Sequence, residues 1–339
     1  MRAKLFIALG ALATIGWAVP STGTAPFIAS AKPRPATVAR NAAPLPQPVR
    51  FRINKDRGLL LSAWIDGRGP FVFALDTGAG LNLITQRVVN ELQLTTRSTR
   101  ATVLGGLSTA RTTSNREAVI NQLALGEQRN VFPAANTAVV VASLPPGIDG
   151  ILDPTDVYAP FGFAIDLPNQ RIDAIDTSAN GLRRGQTPGE GAVVPWLRLG
   201  NSSRPFVRLG DGRLALVDTG SSFGLAVNER DAVIVGTRNG KRTAEAGRDI
   251  AGGTIKSRRV EPTTISIGEL VLRRVPTDIL FGVDDEAPLI LGRDVLYPFK
   301  ITFDPQKRLI EFVTADKSQS VSDRKQPDSD RKQTSTWPF

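Results

Sequence analysis

The chain has 339 residues, 41% hydrophobic and 22% charged, which is material for a sizeable core and about two domains' worth of length. It contains no cysteine and no histidine, which excludes disulfides, thiol nucleophiles, Cys/His zinc sites and every histidine-dependent triad, and leaves Asp, Glu, Ser, Thr, Tyr, Lys and Arg for any chemistry. The net charge of +10 reads as a soluble basic surface, with weak association with anionic envelope polymers as the sharper alternative. No stripe of arginines with interleaved aromatics occurs, so nucleic acid is not an expected partner.

In chain order, residues 1–31 carry a basic start (Arg2, Lys4), an apolar run from Leu5 to Val19 and the small-residue pattern Ala29-Ser30-Ala31. That is the form of a cleaved export signal, shorter than a bilayer span, and it predicts a periplasmic or extracellular protein. Residues 32–50, rich in Pro and Ala, read as an extended linker. Short apolar runs between Gly, Pro, Asn and Asp punctuation then predict a mostly β chain, with Val49, Phe51 and Ile53 alternating against basic or polar residues. The segment TQRVVNELQL (85–94) is the best helix candidate, capped by Thr85 with Val88, Val89 and Leu92 on one face. One minor helix per half at most is expected. A Gly-rich connector occupies 179–190, and 316–339, with SDRKQ twice, reads as a disordered tail.

Between these ends the chain repeats itself. IDGRGPFVFALDTG (65–78) has a counterpart in LGDGRLALVDTG (209–220), and DVYAPFGFAIDLPNQRI (156–172) in DVLYPFKITFDPQKRLI (294–310). The offsets are 142 residues between Asp76 and Asp218 and 138 between Asp166 and Asp304, which indicates a duplicated unit spanning 51–178 and 191–315. A single Asp-Thr-Gly is most often an ordinary strand-end turn. Two copies, each after an apolar strand, followed by a Gly-Gly pair (VLGGLSTA, 103–110; IAGGTIKSRR, 250–259) and then by an apolar run (DGILD, 149–153; LILGRD, 289–294), are far more specific.

These motifs resemble the bacterial retropepsin-like aspartic (aspartyl) proteases in which two lobes are fused in one chain, over roughly residues 50–314. The resemblance implies an all-β fold of two pseudo-symmetric β-barrel lobes with a cleft between them, working as a monomer. It implies an aspartic endopeptidase acting on polypeptides without metal or cofactor, with Asp76 and Asp218 as the catalytic pair. Two carboxyls within hydrogen-bond distance share a proton, so one serves as base and the other as acid. Thr77 and Thr219 would brace the two loops, and Gly78 and Gly220 would let the backbone turn sharply and bring amides near the carboxylates. Gly105-Gly106 and Gly252-Gly253 would lie in flaps closing over substrate. The alternatives are a peptide- or envelope-binding module on the same fold without turnover, and a basic envelope-binding structural protein.

The halves also differ. Gly292 follows the apolar run in the second half, and the first half offers either Gly150 by spacing or Asp153 by the downstream DVY/DVL match. Arg293 of LGRD would, in the family, pair with an acid two residues beyond Asp-Thr-Gly, but Gly80 and Ser222 stand there.

Overall fold

A computed structural model of the chain describes residues 4–5, 44–133, 137–185, 191–200, 202–232, 244–284 and 287–314. The bulk of the expected export signal, most of the linker before residue 44 and the tail at 316–339 lie outside them. The described chain is mostly strand, in three sheets that curl into half-barrels.

Each half is built around the same crossing. In the first, the apolar strand Arg68–Leu75 runs into Asp76, and Gly150–Leu152 lies parallel to it and antiparallel to Leu83–Thr85. In the second, Leu289–Leu291 lies between Leu214–Val217 and Leu225–Asn228 in the same sense. The inserted strands are three residues long and wholly buried, which is why their sequences are apolar without alternation. Around these crossings the first half forms a ten-stranded sheet and the second an eight-stranded one, whose edge takes Lys4–Leu5 in parallel with Gly247–Arg248.

A third, six-stranded antiparallel sheet joins the halves, in the order Gly191–Pro195, Leu309–Thr314, Phe299–Asp304, Gly162–Asp166, Arg171–Ile175, Val49–Arg50. Its centre pairs Phe163 with Phe303 and Ile165 with Ile301. The Phe163 and Phe303 rings stack at 4.7 Å, Trp196 meets Phe303 edge-on, and one continuous apolar core runs through both halves.

The helix at Gln86–Leu92 forms as expected, with Thr85 accepting from the Val88 amide and Val88, Val89 and Leu92 buried. Two expectations are corrected. The linker does not extend to residue 50, because Val49 is fully buried and Val49–Arg50 pairs with Arg171–Ile172. One helix per half undercounts the short turns: Pro154–Val157, Thr177–Asn180, Glu229–Ala232 and Arg293–Leu296 are also helical. Four residues give no periodic signal. The first two turns are set by Asp153 and Asp176 caps, with Pro154 at the first helical position, and Thr177–Asn180 runs into the start of the predicted connector.

Because Phe303 belongs to the core both halves share, Phe303→Ala should lower unfolding free energy by about 3–5 kcal/mol in urea titrations. A loss below about 1 kcal/mol would show that this sheet is not a shared core.

Candidate active site

The two Asp-Thr-Gly loops meet at the centre of the molecule. Each aspartate amide is fixed by the inserted strand of its own half: Asp76 N–H donates to the Leu152 carbonyl at 3.0 Å, and Asp218 N–H to that of Leu291 at 2.9 Å. The threonines then cross. Thr77 N–H donates to Thr219 Oγ1 at 3.1 Å, and Thr219 N–H to Thr77 Oγ1 at 3.0 Å. Each hydroxyl donates onward into the opposite half, Thr77 to the Val217 carbonyl at 2.6 Å and Thr219 to that of Leu75 at 3.4 Å. Asp76, Thr77, Asp218 and Thr219 all have no exposed surface.

The glycines bring their amides to the carboxylates as expected, but the need for glycine has another cause. Neither Gly78 nor Gly220 has a positive φ, so no left-handed turn requires them. Space does. A Cβ at Gly78 would stand 2.9 Å from the Asp218 carboxyl carbon, and one at Gly220 would stand 2.5 Å from that of Asp76. Each glycine therefore makes room for the carboxyl of the other half. Its N–H serves its own half, Gly78 donating to Asp76 Oδ1 at 2.7 Å and Gly220 to Asp218 Oδ1 at 2.8 Å.

This leaves one oxygen of each acid, Asp76 Oδ2 and Asp218 Oδ2, buried without a donor from the rest of the protein. Two buried carboxylates facing one another are costly, and a proton between them supplies the missing donor. Burial raises both proton affinities: Asp76 stands well above the ordinary 3.8, and Asp218 is pushed up to about 6. Asp218 is the better home for the charge, because its Oδ1 also accepts from Ser221 N–H at 3.1 Å and it lies in the field of Arg293. The shared proton accordingly rests on Asp76.

The Gly-Gly segments lie at hairpin turns. The first joins Thr96–Gly105 to Arg111–Val119, and the second joins Ala244–Arg248 to Thr254–Ile267. The two turns touch: Asp249 Oδ2 accepts from Ser108 N–H at 2.9 Å, and its Oδ1 accepts from Ala251 and Gly253 N–H at 3.1 and 2.9 Å. Gly106 packs on Asp249, and Gly253 on Ser108, at distances that leave no place for a Cβ. Leu107 packs into a cluster of the second half with Phe223 and Ile290, while Ile250 packs on one of the first half with Ala79 and Ile151. Each turn thus covers the opposite half. Nothing in the motif pattern singled out Asp249, although an Asp four residues before the second glycine of a tight turn is a recognisable turn-capping signal.

The two departures from the family pattern also resolve. Leu152 and Leu291 occupy equivalent places, so the next residues, Asp153 and Gly292, are equivalent and the Gly150 register does not hold. Both residues cap a helical turn. A side chain at Gly292 would meet the Phe223 carbonyl at 2.5 Å. In the first half, Asn82 Oδ1 accepts from Asp153 N–H at 3.0 Å, where the second half uses the Gly224 carbonyl for Gly292. Arg293 needs no acid: its guanidinium donates to the carbonyls of Thr219, Gly220, Asn54 and Lys55 at 2.7–3.3 Å, tying the second loop to the first half. Beside Gly80 lies Arg204 of the second half, its Cγ 3.3 Å from where a Gly80 Cβ would sit. Burial lowers the Arg204 pKa against the opposing fields of Asp218, Asp76 and Asp153.

A family model described as aspartyl protease matches residues 61–152 and 210–295, just over half of the chain. Among solved structures, the aspartic proteinase from Irpex lacteus is similar in fold, with a TM-score of 0.52 at 11% identity, covering 79% of this chain and 97% of that one. No curated protein matches the sequence.

Since Asp249 holds both hairpin turns, Asp249→Ala should raise amide hydrogen exchange at Ser108, Ala251 and Gly253 by about tenfold or more. Unchanged protection at Ser108 would contradict the link between the turns.

Proposed function

The chain belongs to the aspartyl protease family, and from that premise we propose that it is an aspartic endopeptidase in which Asp76 and Asp218 activate water for peptide hydrolysis. The observation that carries this reading is the pair of buried, donorless Oδ2 atoms at the meeting of two braced loops. Charged Asp218 removes a proton from a water bound between the carboxyls, and that water's oxygen bonds to the scissile carbonyl carbon. Protonated Asp76 gives its proton to the carbonyl oxygen, producing a neutral tetrahedral diol. Collapse of the diol breaks the C–N bond as Asp218 returns its proton to the leaving nitrogen, and one diol hydroxyl returns a proton to Asp76. Residues 106–108 and 249–253 cover the site, in keeping with an extended polypeptide held between turns and loops by main-chain hydrogen bonds.

One chain supplies both carboxyls, which supports a monomer whose duplicated halves, 51–178 and 191–315, are related by an internal pseudo-twofold. The reciprocal threonine bonds and the pairing of Phe163 with Phe303 and of Ile165 with Ile301 agree with that relation. The basic, apolar, small-residue start of the chain supports export to the periplasm or beyond, and the net charge of +10 supports weak association with anionic envelope surfaces.

Wild type should cut a peptide library, and Asp76→Asn and Asp218→Asn should each lower kcat by about 10²- to 10⁴-fold. Undiminished turnover in either variant would overturn the assignment, and tight peptide binding without turnover in wild type would favour the binding-module alternative. The pH profile carries a sign. The charged partner must stay ionised, so cleavage should fall as pH drops below about 6, where Asp218 protonates, and fall again at higher pH as Asp76 loses its proton. Maximal kcat near pH 3 would contradict this.

A further inference from the structure

The two halves repeat one another closely at the site but differ in charge at one buried position, where Gly292 has no side chain and Asp153 has a carboxyl. Asp153 is 1% exposed and directly follows Leu152, whose carbonyl receives the Asp76 amide. It is held in place: Asn82 accepts from its amide, and its Oδ1 accepts from Thr155 N–H at 2.9 Å. We propose that Asp153 is a third, non-reacting carboxyl of the site, whose ionisation holds the shared proton on the Asp76–Asp218 pair and carries that protonation to higher pH. This rests on the dyad reading above and deepens it.

The argument is electrostatic and local. Asp76 and Asp153 end adjacent parallel strands, Arg68–Leu75 and Gly150–Leu152, and both are out of water, where charges interact strongly. A negative charge on Asp153 makes a second charge on Asp76 less favourable, and Asp153 is among the causes that raise Asp76. Burial also pushes Asp153 itself up to about 7. Below that pH it is neutral and exerts little field; above it the charge appears and opposes loss of the proton from Asp76. Asp153 therefore acts on the alkaline limb and spares the acid limb.

The other charged groups around Asp153 fit this role. Asp156, on its own helical turn, opposes ionisation of Asp153. Glu117, from the strand Arg111–Val119, lines the same cavity of about 270 Å³. Arg204 of the second half lies in the fields of Asp153 and both dyad members, and so softens their repulsion. Ser203 of the second half lines that cavity too. A cap alone would need no acid here, since Asn or Ser caps as well.

The test is a carboxyl ¹³C NMR titration of the full chain in wild type and in Asp153→Asn, which keeps the cap acceptor and removes the charge. Asp153→Ser is the second variant, in case the first fails to fold. The upper apparent pKa of the dyad, identified by its loss in Asp76→Asn, should fall by about one unit in both variants. The alkaline limb of peptide cleavage should move down with it. An unchanged upper pKa in either folded variant overturns the proposal. The titration does not depend on turnover, so a wild type that cuts nothing would count against the protease reading and leave the titration to judge Asp153.

Discussion

The structure depends on a reciprocal brace between two threonines. Thr77 and Thr219 exchange amide-to-hydroxyl bonds across the molecule, and each hydroxyl donates a hydrogen bond to the strand that delivers the opposite aspartate. Each of these buried bonds is worth about 1 kcal/mol net, which is modest, but leaving any one unmade would strand a buried polar group at greater cost. The brace therefore fixes geometry more than it adds stability. It sets the separation of two carboxyls that would otherwise repel, and it leaves them one favourable state, with a single shared proton.

The remaining features read as consequences of forcing two acids together. Gly78 and Gly220 are glycines because the opposite carboxyl takes the room of a Cβ. Arg293 gathers four carbonyls from both halves beneath the second loop, and its field favours the charge on Asp218. The hairpin turns cross over to cap the other half through Leu107 and Ile250 and are joined by Asp249. Burial of both carboxyls strengthens these electrostatic effects. The halves then diverge where the brace imposes no constraint, at Asp153 against Gly292 and at Asn82 against Gly224, so the pair sits in an unsymmetrical field.

Much of this was legible in the sequence, and for a physical reason. The dyad, its threonines and the hairpin glycines lie in short local patterns that duplication repeats, so two weak signals support each other. The Thr85 helix was legible from its cap and its apolar face. What could not be read depends on contacts across the chain. For the place of Gly292, spacing offered Gly150 and the downstream DVY/DVL match offered Asp153, and only strand register separates them. The glycines of the two loops looked like turn formers, whereas their role is set by an atom 140 residues away. The partners of Arg293 are carbonyl acceptors, which carry no sequence signature, and Asp249 is one aspartate among many until its turn meets Ser108. The joining sheet was visible as a repeat but not as a sheet, since antiparallel pairing between Gly162–Asp166 and Phe299–Asp304 is a long-range choice.

The central claim is that the brace holds Asp76 and Asp218 so that they share one proton, resting on Asp76. Neutron diffraction from crystals grown near pH 6.5 would locate it directly. The account predicts a single deuteron between the two Oδ2 atoms, closer to Asp76; deuterons on both carboxyls, or on neither, would contradict it.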